Sequence, residues 1–300
     1  MLELNIPAQH RERVQEVMGT LSHEVNPDNF GQVLSDYLDA ASFGANGKLR
    51  IQTVTLGDNG NTVSELNTRE VGLVRSVLER ENTASAFVAA GNRNYYGIET
   101  DIYRTSDGHF VVNHDGRANR VGGVNVTMEA TPWELLREIV LYDTDGTKDR
   151  YDLRLPSLEN YISICKKYEK YCVLELKSVF TPEETAAFIE IIKGYDYLDH
   201  VIFISFHYED LLNVRAILPD QPCQFLTGDN SDELIAKLVA DKLDIDIHHA
   251  SLTEERVQAM HKAGITINCW TVDTAERGEE LAAWGVDHIT SNILEGKNSF

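Results

Sequence analysis

Glu99 and Asp101 stand two residues apart in Tyr96-Gly97-Ile98-Glu99-Thr100-Asp101-Ile102, an apolar run that reads as a buried strand. At that spacing both side chains project to one face. Two carboxylates on one buried face repel each other unless a cation sits between them, one takes up a proton, or arginines neutralise them. A third acid, Glu175, lies inside Val173-Leu174-Glu175-Leu176, again a costly place for a lone charge. Three acids from two strands make an oxygen-rich set suited to a hard divalent ion, Mg²⁺ or Ca²⁺. Lys177, two residues beyond Glu175 on the same face, adds positive charge for an anionic substrate.

Phe110-Val111-Val112-Asn113-His114-Asp115 ends another short strand on a histidine, a natural general acid or base near neutral pH. Taken singly, an acid in a strand is more often an ion-pair partner than a ligand, and a histidine after a strand is usually structural. Together, Glu99, Asp101, His114 and Glu175 all fall at the ends of apolar runs, where barrel enzymes assemble their active sites.

An ordered series of short motifs extends the pattern. It comprises Glu81-Asn82-Thr83, the Glu-x-Asp of Glu99 and Asp101, the turn Ser106-Asp107-Gly108, Val-Val-Asn-His-Asp ending at Asp115, and Glu175-Leu176-Lys177. Ile204-Ser205-Phe206, the segment Asn268 to Asp273, and the segment Trp284 to Asn292 continue it. In this order they resemble the glycerophosphodiester phosphodiesterases, over residues 70 to 295. The resemblance implies an α/β fold of the TIM (β/α)₈ type and hydrolysis of glycerophosphodiesters to glycerol 3-phosphate and an alcohol. It further implies that the metal binds phosphoryl oxygens while the neighbouring glycerol hydroxyl attacks phosphorus, with one histidine taking a proton and another protonating the leaving alcohol. His114 matches one of that pair, and Trp270 matches a tryptophan that lines the barrel mouth, although a core aromatic is an equal reading.

One departure stands out. The family's first strand ends in His-Arg-Gly, whereas the segment from Asn67 to Arg80 contains no histidine. Either Glu70-Val71-Gly72 or Val74-Arg75 takes the motif's place. Losing such a group typically costs about 10²- to 10⁴-fold in rate, so the rival expectation is a catalytically impaired homologue that binds such ligands or a protein partner. His10, His207, His248 and His249 are the substitutes to weigh. His207, directly after the strand Val201 to Phe206, is slightly favoured and is expected to face the mouth as a substrate contact. Asn292 stands where relatives often carry Asp, a milder departure.

Composition and organisation fit this reading. The 300 residues suit one barrel with an extension, placed at 1–66 with the barrel over 67–300. A net charge of −21 argues against nucleic acid and against adhesion to anionic membranes. The four cysteines form no CxxC, no secretory leader is evident at Met1, and no apolar run reaches about 18 residues, so the cytoplasm is the expected location and membrane insertion is not. The expected partner is a small-molecule diester, and oligomeric state is left open, a homo-oligomer included. In the extension, Arg11 to Leu21 and Phe30 to Leu38 read as helices and Leu49 to Leu56 as a strand. A dimerisation arm, a cap or a packing extension would each explain it, the last most simply.

Later, helical runs over Thr181 to Lys193, Tyr208 to Leu218, Ser231 to Lys242, Thr253 to Ala263 and Thr274 to Trp284 alternate with apolar runs, the signature of a parallel α/β sheet. Nine candidate strands compete for eight places. No crossover helix fits between Asp101 and Phe110, so the barrel is expected to be irregular there, near strands 2–3. Leu141 to Leu155, with the calcium-loop-like Asp143-Thr144-Asp145-Gly146 that lacks EF-hand spacing, reads as a solvated excursion.

Overall fold

The computed structural model describes residues 79–295 and the backbone of two short strands, β1 (Ala41–Phe43) and β2 (Leu49–Ile51). The chain divides into two compact units, Met1–Val74 and Arg75–Phe300. In the first, β1 and β2 pair antiparallel with Ala41 opposite Ile51, so the expected strand from Leu49 is described as far as Ile51. The helices read over Arg11 to Leu21 and Phe30 to Leu38, the boundary near Asn67 and the alternatives for the first-strand motif lie outside the described residues.

The second unit is built on one eight-stranded sheet. Its strands are β3 (Gly97–Arg104), β4 (Phe110–Val112), β5 (Tyr171–Leu176), β6 (Val201–Ser205), β7 (Cys223–Thr227), β8 (Asp244–His248), β9 (Ile267–Trp270) and β10 (His288–Ile289). They run in the order β10-β9-β8-β7-β6-β5-β3-β4, all neighbours parallel except β3 and β4. The five residues between β3 and β4 allow only a hairpin, closed by Gly108 at φ 84°, which is why the sheet is irregular at that edge. The sheet curls strongly. Six strand spacings separate β3 from β10, roughly 29 Å if flat, yet the Tyr96 ring before β3 lies 5.2 Å from that of His288 in β10.

The expected late helices form almost to the residue: α5 (Pro182–Gly194), α6 (Tyr208–Ile217), α7 (Asp232–Asp241), α8 (Glu254–Lys262) and α9 (Ala275–Trp284). Earlier come α1 (Ala84–Gly91), two single turns α2 (Asn119–Gly122) and α3 (Trp133–Leu136), and α4 (Leu158–Tyr168). The starts are set locally. Thr181 accepts from the Glu184 N–H while Glu184 reaches back to the Thr181 N–H, a capping box with Pro182 in the first turn; Ser231 and Thr253 cap α7 and α8 through their hydroxyls.

The main core lies outside the curl, between sheet and helices, with Leu174, Phe188, Ile189 and Phe203 fully buried. The inner apolar layer is small: Ile202, Ile204 and Leu226, with Trp270 packed against them. A third cluster corrects the reading of Leu141 to Leu155 as solvated. Leu141, Leu153 and Leu155 are buried against Val111, Val121, Met128 and Leu136, and only the turns between them are exposed.

Candidate active site

Parallel pairing of β3 with β5 places Asp101 directly beside Glu175, with Glu99 two residues earlier on the same inward face. One ligand oxygen from each of the three lies within 4.8 Å of the others. Lys177, just past β5, reaches back into them: its Nζ is 2.9 Å from Glu175 Oε1 and 3.3 Å from Asp101 Oδ1. Asp101 and Glu175 are buried, while Glu99 keeps partial exposure toward the hollow of the sheet. Asn82 orients the cluster. Its amide nitrogen donates to Asp101 Oδ2 at 2.7 Å, and its carbonyl accepts from Thr100 Oγ1 at 2.8 Å. Asn82 sits at φ 53°, a left-handed conformation that asparagine tolerates better than most residues, and the next residue, Thr83, caps α1.

The electrostatics follow from this crowding. Burial, then repulsion from Asp101 and Glu175, holds the Glu99 carboxyl well above the usual carboxylate range. Burial and Asp101 push Glu175 up to about 7, with Lys177 opposing. Burial works against charge on Lys177, but Asp101 and Glu175 outweigh it and hold the ammonium above its ordinary value. Asp101 Oδ1 is buried with no hydrogen bond of acceptable geometry, even though Lys177 is at ion-pair distance. An oxygen-only donor set with an orphaned carboxylate oxygen suits a hard divalent cation. Deeper in the hollow, Asp246 of β8 is buried, has one unpartnered oxygen, and is raised well above its ordinary range by burial and then by Glu175.

His114 follows β4, and the preceding residue, Asn113, donates its N–H to the Asp101 carbonyl at 3.2 Å. The His114 Nδ1 lies 2.8 Å from Asp115 Oδ1. The Arg120 hydrogen bond holds the Asp115 carboxyl down at about 2, against burial. Asp115 is therefore an acceptor at neutral pH and orients the His114 ring through Nδ1–H. Arg120 also pairs with Glu81, tying the segment before α1 to the loop that carries His114.

The opposite side of the mouth is aromatic. Ile202 and Ile204 face inward, and Phe206 continues that alternation: its ring is 5.8 Å from Trp270, at 81°. His248 closes β8 in phase with Asp246, and its ring is 5.1 Å from Trp270, at 73°. Trp270 thus stands at the end of β9 between Phe206 and His248. His207 does not share that phase. It is exposed at the N-cap of α6, where its N–H donates to Ser205 Oγ, and it is one residue out of step with the inward Phe206. Phe206, not His207, stands beside Trp270.

The glycerophosphoryl diester phosphodiesterase family model matches residues 71–295. The chain belongs to that family. A glycerophosphodiester phosphodiesterase of Caldanaerobacter subterraneus subsp. tengcongensis is 27% identical over 218 residues, covering 72% of this chain and 89% of its own. Among solved structures, a glycerophosphodiester phosphodiesterase from Parabacteroides distasonis is 25% identical with a TM-score of 0.61, covering 73% of this chain and 90% of that one. A phosphodiesterase of Oleispira antarctica in complex with the product sn-glycerol-3-phosphate shares the fold, with a TM-score of 0.66 at 22% identity over 73% of this chain and 90% of that one.

Two features of this family member were not singled out from sequence. Asn82 was visible only as the middle of Glu-Asn-Thr, and an Asn ahead of a Thr cap is the signal for a left-handed residue there. Phe206 was visible only as the end of Ile-Ser-Phe, and strand alternation from Ile202 is its signal. No helix among the described residues is long and apolar enough to cross a membrane.

Proposed function

We propose that this chain is a metal-dependent phosphodiesterase that cleaves glycerophosphodiesters to glycerol 3-phosphate and an alcohol on a closed (β/α)₈ barrel, and that it works in the cytoplasm. The observation that carries the reading is the Glu99, Asp101 and Glu175 cluster with Lys177 between two of its members, one strand hairpin away from the His114–Asp115 pair. Glu99, Asp101 and Glu175 would hold Mg²⁺ or Ca²⁺, which supplies Lewis-acid neutralisation of phosphoryl oxygens. Lys177, whose ammonium lies between Glu175 and Asp101, would pair with the phosphate. His114, oriented by Asp115, would accept the proton of an attacking hydroxyl or return one to the leaving alcohol oxygen. Asn82 keeps Asp101 in position through its two hydrogen bonds.

The absence of histidine from residues 67–80 favours a second reading, a binding homologue with little turnover. Release of glycerol 3-phosphate from glycerophosphoethanolamine, followed with Mg²⁺, Ca²⁺ or EDTA, separates the two. Metal-dependent turnover lost in His114→Ala supports the enzyme; metal binding without turnover by the wild type supports the homologue.

A further inference from the structure

Resting on the phosphodiesterase reading of this site, we infer that Arg120 is a positioning residue for His114. It clamps Asp115 to Glu81, so that one dipeptide, Glu81-Asn82, fixes the acid–base histidine and the candidate metal ligand Asp101 in a single frame. The clamp is two-pronged. Arg120 Nε donates to Asp115 Oδ2 at 2.7 Å and Nη2 donates to Oδ1 at 3.2 Å, while Nη2 also pairs with Glu81 Oε1. Asp115 Oδ1 is the same oxygen that meets His114 Nδ1 at 2.8 Å. Directly after Glu81, the Asn82 amide holds Asp101 Oδ2 at 2.7 Å. A continuous series of polar contacts therefore runs from the imidazole to the acidic cluster through the segment ahead of α1.

Other contacts of this loop set its backbone and leave the ring to be fixed. The Asn113 N–H donates to the Asp101 carbonyl, the Tyr103 hydroxyl to the His114 carbonyl at 3.2 Å, and the Asn113 amide to the Asp115 carbonyl at 2.5 Å. The His114 side chain itself is 59% exposed, so packing does little to choose its direction. Asp115 does choose it, because a carboxylate held at both oxygens by a planar guanidinium has a fixed orientation. Arg120 starts from a firm base. The next residue, Val121, is buried with Met128, Leu136 and Leu141, and its carbonyl accepts from the Tyr142 N–H at 2.7 Å. The side chains of Arg120 and Glu81 are 44% and 46% exposed, and ion pairs so exposed contribute little to stability. What the series supplies is therefore orientation at the site rather than support for the fold.

The first test does not depend on turnover. The His114 ring nitrogens are followed by long-range ¹H–¹⁵N correlation on uniformly labelled protein, at a pH above the range of histidine protonation, with His114→Ala giving the assignment. The wild type is expected to carry the ring proton on Nδ1, facing Asp115. Arg120→Met replaces an exposed side chain and should melt close to the wild type, yet it is expected to shift the ring toward the Nε2–H form usual in free histidine. An unchanged Nδ1 signal in Arg120→Met would overturn the positioning role.

A second arm asks whether Arg120 acts through Asp115, using release of glycerol 3-phosphate from glycerophosphoethanolamine. Arg120→Met is expected to lower kcat roughly 10- to 100-fold, with KM and calorimetric metal affinity nearly unchanged. In an Asp115→Asn background the same substitution should cost little more, because its route to His114 is already cut. Losses that multiply in full in the double variant would overturn the proposal. Wild-type turnover with an imidazole signal indifferent to Arg120 overturns the clamp and keeps the phosphodiesterase. An imidazole signal that depends on Arg120, in a protein without turnover, supports the clamp and overturns the phosphodiesterase.

Discussion

Glu99→Gln separates the two states that the acidic cluster allows. With ligand oxygens as far apart as 4.8 Å, two ionised carboxylates repel by about 3.5 kcal/mol at an effective dielectric constant of about 20. Lys177, at 2.9 and 3.3 Å from Glu175 and Asp101, offsets part of this but contacts neither oxygen of Glu99 among its ion pairs. Hence the Glu99 carboxyl is held well above its ordinary range by burial and by Asp101 and Glu175, which favours its neutral form when no metal is bound. Glutamine copies that neutral shape, so the metal-free variant should melt at or slightly above the wild-type temperature. With metal the order reverses. A cation at 100 times its Kd stabilises the wild type by about 2.7 kcal/mol, which for a unit of this size raises Tm by roughly 5–10 °C. The variant, lacking one of three anionic ligands, should lose most of that rise. Differential scanning fluorimetry in EDTA, Mg²⁺ and Ca²⁺ reads both halves. An equal metal-induced rise in both proteins, or a variant that melts well below the wild type in EDTA, would refute the argument.

His114→Ala should lower kcat by about 10²- to 10⁴-fold with metal binding unchanged by calorimetry, and Asp115→Asn should lower it less, by releasing the His114 tautomer. Metal affinity should rise with pH and level off only above about 7, because the proton on Glu175 must leave before the carboxylate can bind; a flat calorimetric profile between pH 5.5 and 7 would contradict this. Asp246→Asn should gain stability relative to wild type as pH rises above about 4. The sign follows from the folded carboxyl being held above its unfolded value, so the wild type bears a growing cost once the unfolded form ionises, and parallel urea midpoints across pH 4–8 would contradict it. Phe188→Ala, which removes a fully buried ring that packs on Phe110, Phe180 and Phe203, should cost about 3–5 kcal/mol in urea unfolding.

What could be read from the sequence was what depends on near neighbours. The late helices begin at Thr181, Ser231 and Thr253 because a hydroxyl there satisfies an N–H three residues on, and such a cap is written in a few consecutive residues. Glu99, Asp101 and Glu175 were legible for a similar reason: an acid inside an apolar run is a conflict within one strand that a cation, a proton or a counter-charge must resolve. Features that depend on distant partners were not legible. Leu141, Leu153 and Leu155 flank a polar, turn-rich stretch and read as solvated, yet they are buried because Val111, Met128 and Leu136 fold over them from elsewhere in the chain. His207 against Phe206 is the instructive case. Both follow β6, and which of them looks into the hollow depends on a phase that a sequence leaves free by one residue. That phase is set by Ile202 and Ile204 packing on Leu226 and Trp270, from strands β7 and β9. A one-residue slip exchanges an imidazole for a phenyl ring on the inward face of the sheet.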